Sequence, residues 1–209
     1  SLHGCIMELM EQEIEAKFLN IDLDETRAKL KDMGAELLHE MQLVRRTVMD
    51  FPDRRLKKQG AWIRVREEVD DSIEMMLKKV ASDELGQTFE QPVKVSDYDA
   101  AIKFLLSLGF EVKNEEESKR ELWRLGDLEI MLDVWPWVNP FIEIEGPTEA
   151  GVKGLASKLG FEWVNAKFGN VIPVYTDKYG ISDASFKAAE MTIKFDLPVP
   201  DILVNSSVK

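Results

Sequence analysis

Hydrophobic and charged residues alternate along much of the chain, beginning with the segment EIEAKF at residues 13–18. Successive side chains of a β-strand point to opposite sides, so Glu13, Glu15 and Lys17 fall on one face and three apolar residues fall on the other. One face of this predicted strand is therefore entirely charged. It must lie either in water or in a polar site.

The same alternation predicts seven further strands. Together with the first they cover residues 13–19, 43–50, 61–68, 72–80, 89–95, 119–124, 128–134 and 141–145. Eight strands with few helices indicate an antiparallel sheet or barrel of the α+β class rather than a parallel sheet with alternating helices.

Three helices are predicted from their end residues. The segments DETRAKLKDM, DYDAAIKFLLSL and EAGVKGLASKL follow Asp22, Ser96 and Thr148, and each of them ends before a glycine. Glycine readily takes the left-handed conformation that ends many helices. A fourth helix is predicted around residues 186–191. It lies in an expected C-terminal extension, residues 182–209, which follows a domain over residues 10–181.

The composition narrows the function classes. The 209 residues carry a formal net charge of −12, which argues against general binding to nucleic acid or to an anionic membrane, although a local basic pocket for a small anion remains compatible with it. No apolar run approaches the roughly 20 residues that cross a bilayer. Cys5 is the single cysteine, so we expect a reducing, cytoplasmic environment. His3 and His39 are not expected to be catalytic.

Charges of one sign are grouped strand by strand. The pairs are Glu13 with Glu15, Glu143 with Glu145, Arg64 with Arg66, and Arg120 with Arg124. These faces could be the solvated side of a sheet whose other side packs on helices. Alternatively, a sheet curled inward would place carboxylates, which bind Mg²⁺ or Mn²⁺, beside arginines and lysines, which bind phosphate oxygens.

The segment EIEAK matches the ExExK signature of the CYTH superfamily, the triphosphate tunnel metalloenzymes, which includes class IV adenylyl cyclases and thiamine triphosphatases. The chain resembles this family from about residue 10 to residue 180. The matching features are RVR at 64–66, LK at 77–78, Arg120, Asp133 and FIEIE at 141–145. The resemblance implies an eight-stranded antiparallel β-barrel that forms a tunnel, with flanking helices, and a charged EIEAKF face that points into it.

The resemblance also implies residue roles. The expected metal ligands are Glu13, Glu15, Asp133, Glu143 and Glu145, and the expected triphosphate-binding residues are Lys17, Arg64, Arg66, Lys78 and Arg120. Lys17 and Lys78 are the catalytic candidates. Lys78 would act as a base if its surroundings lower its pKa, or else as electrostatic support. Lys167 is the candidate for the basic C-terminal element of the family.

One segment departs from the family pattern. Where many members have Gly-Leu-Gly before the last barrel strand, this chain has WPWVNP at residues 135–140. Trp135 and Trp137 could stack on a base, but packing is the favoured role.

Three functions follow as expectations. The first is hydrolysis of an inorganic or organic triphosphate with Mg²⁺ or Mn²⁺, the substrate being tripolyphosphate, thiamine triphosphate or a nucleoside triphosphate. The second is a class IV adenylyl cyclase that converts ATP to cyclic AMP and pyrophosphate. The third is non-catalytic binding of polyphosphate or phosphorylated ligands. The signature residues do not separate the first two, and a homodimer is left open.

Overall fold

The computed structural model describes residues 10–82 and 84–206, so the predictions about His3 and Cys5 lie outside the described residues. Nine antiparallel strands in this part of the chain form one sheet that curves into a nearly closed barrel. The strands are β1 (Glu11–Glu13), β2 (Glu15–Leu19), β3 (Glu36–Asp50), β4 (Ala61–Glu67), β5 (Ile73–Val80), β6 (Thr88–Val95), β7 (Glu111–Leu125), β8 (Leu128–Val134) and β9 (Phe141–Glu145).

The first predicted strand closes the barrel. The sheet order is β1-β6-β5-β4-β3-β7-β8-β9-β2, so β1 and β2 lie at opposite edges. In the chain, however, only Ile14 separates them. The first half of this segment pairs with β6 and the second half with β9. The predicted antiparallel barrel is confirmed, and it has nine strands instead of eight because this one strand is divided between two partners.

Strands β3 and β7 are each 15 residues long, about twice their predicted length. They pair along most of that length, with irregularities near His39 and Met49. The first half of β7 contains the run EVKNEEE, in which polar residues occupy both faces. Alternation therefore missed this segment, which is held in the sheet by its pairing with β3.

The three predicted helices are present as α1 (Leu23–Asp32), α2 (Tyr98–Ser107) and α3 (Glu149–Leu159). Asp22 and Thr148 accept the capping hydrogen bonds as expected. The cap of α2 is Asp97, not Ser96. The backbone of Asp97 is extended and its carboxylate accepts the N–H of Ala100.

Two hydrophobic cores lie outside the barrel wall. One lies between α1 and α3 and the outer faces of β2, β8 and β9, where Phe18, Ile130 and Ile144 pack against Leu30 and Leu155. A second lies between α2 and β4 and the end of β3. Burying a side chain of this size contributes roughly 1.5–3 kcal/mol, so these helices fix which face of each strand points outward. The charged faces consequently point into the barrel.

Three short helices pack where β8 ends and β9 begins: α4 (Ile172–Tyr179), α5 (Asp183–Ala189) and α6 (Asp201–Ser206). They form a third core with residues that include Trp135, Phe141 and Phe186. Helix α5 lies slightly before its predicted position, whereas α4 and α6 were not predicted. Beyond α5, Ile193 forms a parallel bridge with Glu116 on β7.

None of the helices within residues 10–82 and 84–206 is long and apolar enough to cross a membrane.

Candidate active site

A cavity of about 650 Å³ occupies the barrel interior. Its walls come from every strand except β8, and they include nine acidic and nine basic side chains. Nine of the ten site residues predicted from the sequence line it: Glu13, Glu15, Lys17, Arg64, Arg66, Lys78, Arg120, Glu143 and Glu145. The interpretation of the charged faces as a solvated sheet surface is therefore wrong, because the sheet curls with these faces inward.

Three carboxylates meet where β1, β2 and β9 come together. Glu13, Glu15 and Glu143 each offer one oxygen, and these atoms all lie within 4.8 Å of one another. Register explains the proximity, since Lys17 lies opposite Glu143 and Glu15 lies opposite Glu145 in the β2–β9 pair. Glu145 lines the same cavity but is not part of this triplet.

Lys17 is the cation at the centre of this group. Its Nζ lies 2.6 Å from Glu15 Oε1 and 3.4 Å from Glu143 Oε1, and it also donates to the Gly169 carbonyl at 2.6 Å. Burial alone would lower the pKa of Lys17, but Glu143, Glu15 and Glu13 outweigh it and raise the pKa above its ordinary value. Lys17 is therefore protonated at neutral pH.

The neighbouring cations do not compensate the carboxylates of this site equally. Burial raises the pKa of Glu15 well above its ordinary value, and the nearby charges of Glu13 and Glu143 add to the effect. Burial together with Glu13 and Glu143 likewise raises the pKa of Glu145 to about 7. In contrast, Lys17 and Arg120 overcome the effect of burial on Glu143 and hold its pKa well below its ordinary value.

Glu15 also has an unused ligand atom. Its Oε2 is buried and has no hydrogen-bond partner within the described part of the chain. A buried oxygen in this state is unusual in folded proteins. Three converging carboxylates, one with a free oxygen, form the kind of hard oxygen donor set that suits Mg²⁺ or Mn²⁺. The residues therefore fit a divalent cation.

Lys78 on β5 forms two ion pairs with carboxylates on β6 and β1, the next strands in the sheet. Its Nζ donates to Glu13 Oε2 at 2.8 Å and lies 2.6 Å from Glu90 Oε1. Burial lowers the pKa of Lys78, but the carboxylates of Glu13, Glu15 and Glu90 outweigh it, so the pKa is raised. The lowered pKa expected for a lysine base is therefore wrong. The charged groups around Lys78 are mainly carboxylates, with Arg64 as the nearby cation.

Asp133 is not part of the carboxylate triplet. It is fully buried and accepts two hydrogen bonds from Arg120, at 2.8 and 2.7 Å. Arg120 also donates to Glu143 at 3.0 Å. Both Asp133 oxygens thus contact Arg120, and the residue is absent from the cavity wall. Alternation along β8 could not show this, because the partner is on β7.

The arginines of β3 and β4 form a second charged region. Arg64 places Nη2 3.3 Å from Met76 Sδ, whereas Arg66 pairs with Glu68. Arg46 lies directly opposite Arg66 in the β3–β4 register and donates to Ser118 Oγ at 2.5 Å. Among the described residues, neither Arg46 nor Arg64 takes part in an ion pair. Burial, Arg66 and other nearby arginines lower the pKa of Arg46 to about 9.

Arg46 was missed by the sequence analysis. The segment VRRTV offers two adjacent arginines, and only the side of β3 that is covered by α2 decides which of them points inward. Met49 and Val65 pack toward α2, so Arg46 turns into the barrel while Arg45 lies outside and pairs with Glu67 at 2.5 Å. Strand alternation predicts that Arg46 points inward once one outward residue of β3, such as Met49, is known.

Trp135 and Trp137 pack and do not offer a stacking surface. Trp135 is 4% exposed, and the Arg46 guanidinium lies over its ring at 4.4 Å. The Trp137 indole N–H donates to the Leu197 carbonyl at 2.9 Å. Lys167 contributes its backbone, which bridges to that of Lys17. Its side chain lies 3.8 Å from Asp177 and outside the cavity wall.

Known structures share this fold. The PH1012 protein from Pyrococcus horikoshii OT3 is 19% identical with a TM-score of 0.65, covering 78% of this chain and 98% of its own. A candidate adenylate cyclase from Vibrio parahaemolyticus is 19% identical with a TM-score of 0.68, covering 79% and 98%. HpAC1 from Hippeastrum, described as a candidate adenylyl cyclase with a dominant triphosphatase activity, is 14% identical with a TM-score of 0.53, covering 86% and 97%.

A comparison with curated proteins gives no match. Residues 11–162, well over half of the chain, match the family model of the CYTH domain. The barrel, the inward ExExK residues and this match agree, and the chain belongs to the CYTH domain family.

Proposed function

We propose that this protein is a metal-dependent triphosphatase that hydrolyses inorganic or organic triphosphates inside the barrel. The observation that carries the proposal is the placement of two opposite kinds of buried charge in one cavity. Glu15 keeps a raised pKa and a buried oxygen without a hydrogen-bond partner although Lys17 contacts it, and Arg46 and Arg64 take part in no ion pair among the described residues. A dication would add positive charge beside the carboxylates, and a polyphosphate chain would add negative charge beside these two arginines.

Glu13, Glu15 and Glu143 would hold the Mg²⁺ or Mn²⁺ ion, with Glu145 beside them in the same wall. The free Oε2 of Glu15 supports this assignment. A bound dication neutralises negative charge on phosphate oxygens and orients the reacting groups.

The cationic side chains would position the phosphate chain. Lys17, Lys78 and Arg120 contact the carboxylates, so phosphate oxygens that bind to them lie directly beside the metal position. Phosphoryl transfer depends mainly on positioning and charge stabilisation. Because its pKa is raised, Lys78 would act as a cation and not as a general base. Asp133 would hold Arg120 in its orientation through their two hydrogen bonds.

A class IV adenylyl cyclase is the second candidate. It would bind ATP in the same cavity, and the ribose 3′-oxygen would attack the α-phosphorus and expel pyrophosphate. The similar structure from Vibrio parahaemolyticus is that of a candidate adenylate cyclase, which supports the cyclase reaction. HpAC1 is described as having a dominant triphosphatase activity, which supports hydrolysis. Cytoplasmic location, a homodimer and a domain boundary at residue 181 remain predictions.

A product assay separates the candidates. Tripolyphosphate, thiamine triphosphate, ATP and GTP would each be incubated with Mg²⁺ or Mn²⁺, and orthophosphate, pyrophosphate and cyclic AMP would be measured. A triphosphatase releases orthophosphate from each substrate, leaving pyrophosphate from tripolyphosphate and a diphosphate from the others, whereas a cyclase converts ATP to cyclic AMP and pyrophosphate without orthophosphate. Tight binding without any product would leave the third function, non-catalytic binding, and contradict the proposal. Glu15→Gln provides the inactive control.

A further inference from the structure

Three buried nitrogen donors in the cavity wall have no acceptor. They are the Nε1 of Trp135 and the Nε atoms of Arg46 and Arg64, none of which has a hydrogen-bond partner within residues 10–82 and 84–206. All three side chains line the cavity and are at least nine-tenths buried. Buried polar atoms are nearly always satisfied, so three unsatisfied donors in one wall indicate a missing acceptor.

Arg46 and Arg64 take part in no ion pair within the described part of the chain, although Glu116 lies opposite Arg46 in the β3–β7 register. Arg46 lies opposite Arg66 in the barrel wall, and like charges placed directly opposite each other are unfavourable. Burial and the neighbouring arginines lower the pKa of both Arg46 and Arg64. An acceptor with negative charge would therefore satisfy the donors and relieve the repulsion at once.

The position of this region relative to the carboxylates follows from the register of β7. Glu143 is aligned through Met131 with Leu122, and Arg46 is aligned with Glu116. Arg120 lies between these two levels. A linear polyphosphate with its first phosphoryl group at the carboxylates would pass Arg120. Its last phosphoryl group would then approach Arg46 and Trp135.

We propose that Arg46, Trp135 and Arg64 form an oxyanion subsite for the phosphoryl group farthest from the carboxylates. This inference rests on the proposed function and deepens it, because it makes the subsite the element that distinguishes a triphosphate from a diphosphate. Trp135 contributes its N–H and not its ring. One face of the ring is covered by Arg46, and the WPW segment supplies this donor where the family pattern has glycine.

The test measures chain-length discrimination. Binding of tripolyphosphate and of pyrophosphate would be measured by calorimetry with Ca²⁺, which limits turnover. Trp135→Phe keeps the ring and removes the N–H. It should weaken tripolyphosphate binding about tenfold, equivalent to about 1.4 kcal/mol, and change pyrophosphate binding less than about twofold. Trp137→Phe is the matched control, because that indole donates to Leu197 outside the cavity, and it should leave both affinities unchanged.

A second variant keeps the test informative if Trp135→Phe does not fold. Arg46→Lys keeps the charge but removes the Nε–H and the planar guanidinium, and it should lower the preference for the longer chain in the same way. Should both folded variants keep the wild-type preference, or lose affinity for both ligands equally, the subsite is wrong while the proposed function stands. A wild-type protein that binds neither ligand would overturn both.

Discussion

At the scale of single residues, two carboxylates of the triplet differ in their dependence on neighbours. Both oxygens of Glu143 face cations, Oε1 toward Lys17 and Oε2 toward Arg120. Glu15 has only one oxygen paired, and its other oxygen has no partner among the described residues. Removing charge from these two positions should therefore have different consequences for the fold, although both are proposed metal ligands.

We predict that Glu15→Gln abolishes activity and leaves unfolding free energy without metal unchanged or slightly higher. The amide oxygen can still accept from Lys17, and repulsion within the triplet falls. Glu143→Gln should also abolish activity but cost about 3 kcal/mol, because it leaves two buried cations without their shared carboxylate. Urea denaturation without metal and turnover with Mg²⁺ measure the two effects. Equal stability losses in both variants would contradict the charge distribution described for the triplet.

Arg64 provides the corresponding test among the cations. Its guanidinium has no ion pair in the described chain, so its loss should affect ligand binding and not folding. We predict that Arg64→Ala lowers kcat/KM by about ten- to a hundredfold, as expected for a charge-assisted bond worth ~1.5–3 kcal/mol, with little change in Tm. Arg45→Ala is the matched control, since its exposed pair with Glu67 contributes about 0–1 kcal/mol. Lost stability with retained activity would make Arg64 structural.

At the scale of elements, the loop between β3 and β4 positions the arginine strand. Asp50, the last residue of β3, is fully buried. Its carboxylate accepts the backbone N–H groups of Phe51, Leu56 and Lys57 at 2.7, 3.1 and 2.9 Å. One side chain thus satisfies three backbone donors in the turn that leads to Arg64 on β4.

We predict that Asp50→Ala destabilises the protein by about 3 kcal/mol, because it leaves three partly buried backbone donors without an acceptor. Chemical denaturation of the variant and the wild type checks the magnitude. Asp53→Ala is the control, since Asp53 lies in the same loop but is exposed, and its partner within the described residues is Arg55. Comparable losses in the two variants would show that the Asp50 bonds do not organise the loop.

Glu190 joins the C-terminal segment to the barrel. It accepts from Arg54 at 3.1 and 3.0 Å and from Lys57 at 3.3 Å. Burial raises the pKa of Glu190, but these bonds and Lys113 outweigh it, so the pKa is lowered. A carboxylate with a lowered folded-state pKa stabilises the fold above its unfolded pKa of about 4.3 and loses that contribution as the pH falls through the folded value.

The consequence for pH is testable. We predict that Glu190→Gln lowers stability by about 1 kcal/mol or less at pH 7, and that the difference from wild type disappears on acidification below about pH 4. Thermal unfolding of both proteins from pH 7 to pH 3 measures it. A difference that persists unchanged at pH 3 would show that the loss comes from packing and not from the carboxylate charge.

Local sequence signals predicted the parts of the fold that local physics controls. Asp22 and Thr148 cap helices where expected because capping involves residues only three positions apart. The inward set was found by strand alternation combined with the family resemblance. Arg46 and the contact between Asp133 and Arg120 were not predicted, since both depend on which strands become neighbours. Helices α4 and α6 were missed because they are short and stabilised mainly by packing on the barrel end.

At the scale of the whole molecule, the barrel has its apolar faces outside and its charges inside. The helices supply hydrophobic cores for the outer wall, and this burial stabilises a sheet whose interior would otherwise be unfavourable. Packing on the outer wall therefore fixes the fold, and the charged interior residues are not needed for that packing. This separation explains why a protein with net charge −12 can keep a dense group of arginines and lysines in one cavity.

The central claim is that this cavity binds a triphosphate with a dication. The net negative charge repels an anion at long range, but salt screens that repulsion over about 8 Å at physiological ionic strength. Lys17, Arg64, Arg66, Lys78 and Arg120 all line the cavity, so a ligand inside it would contact them directly. Contact attraction should therefore exceed the screened repulsion.

The most direct measurement is Tm as a function of tripolyphosphate concentration, with Ca²⁺ in place of Mg²⁺ to limit hydrolysis. A ligand that binds only the native state adds about 2.7 kcal/mol at a hundredfold excess over Kd, so Tm should rise steadily with tripolyphosphate and far less with monophosphate or sulfate. A Tm that does not respond to tripolyphosphate, or that rises equally with monophosphate and sulfate, would contradict the account.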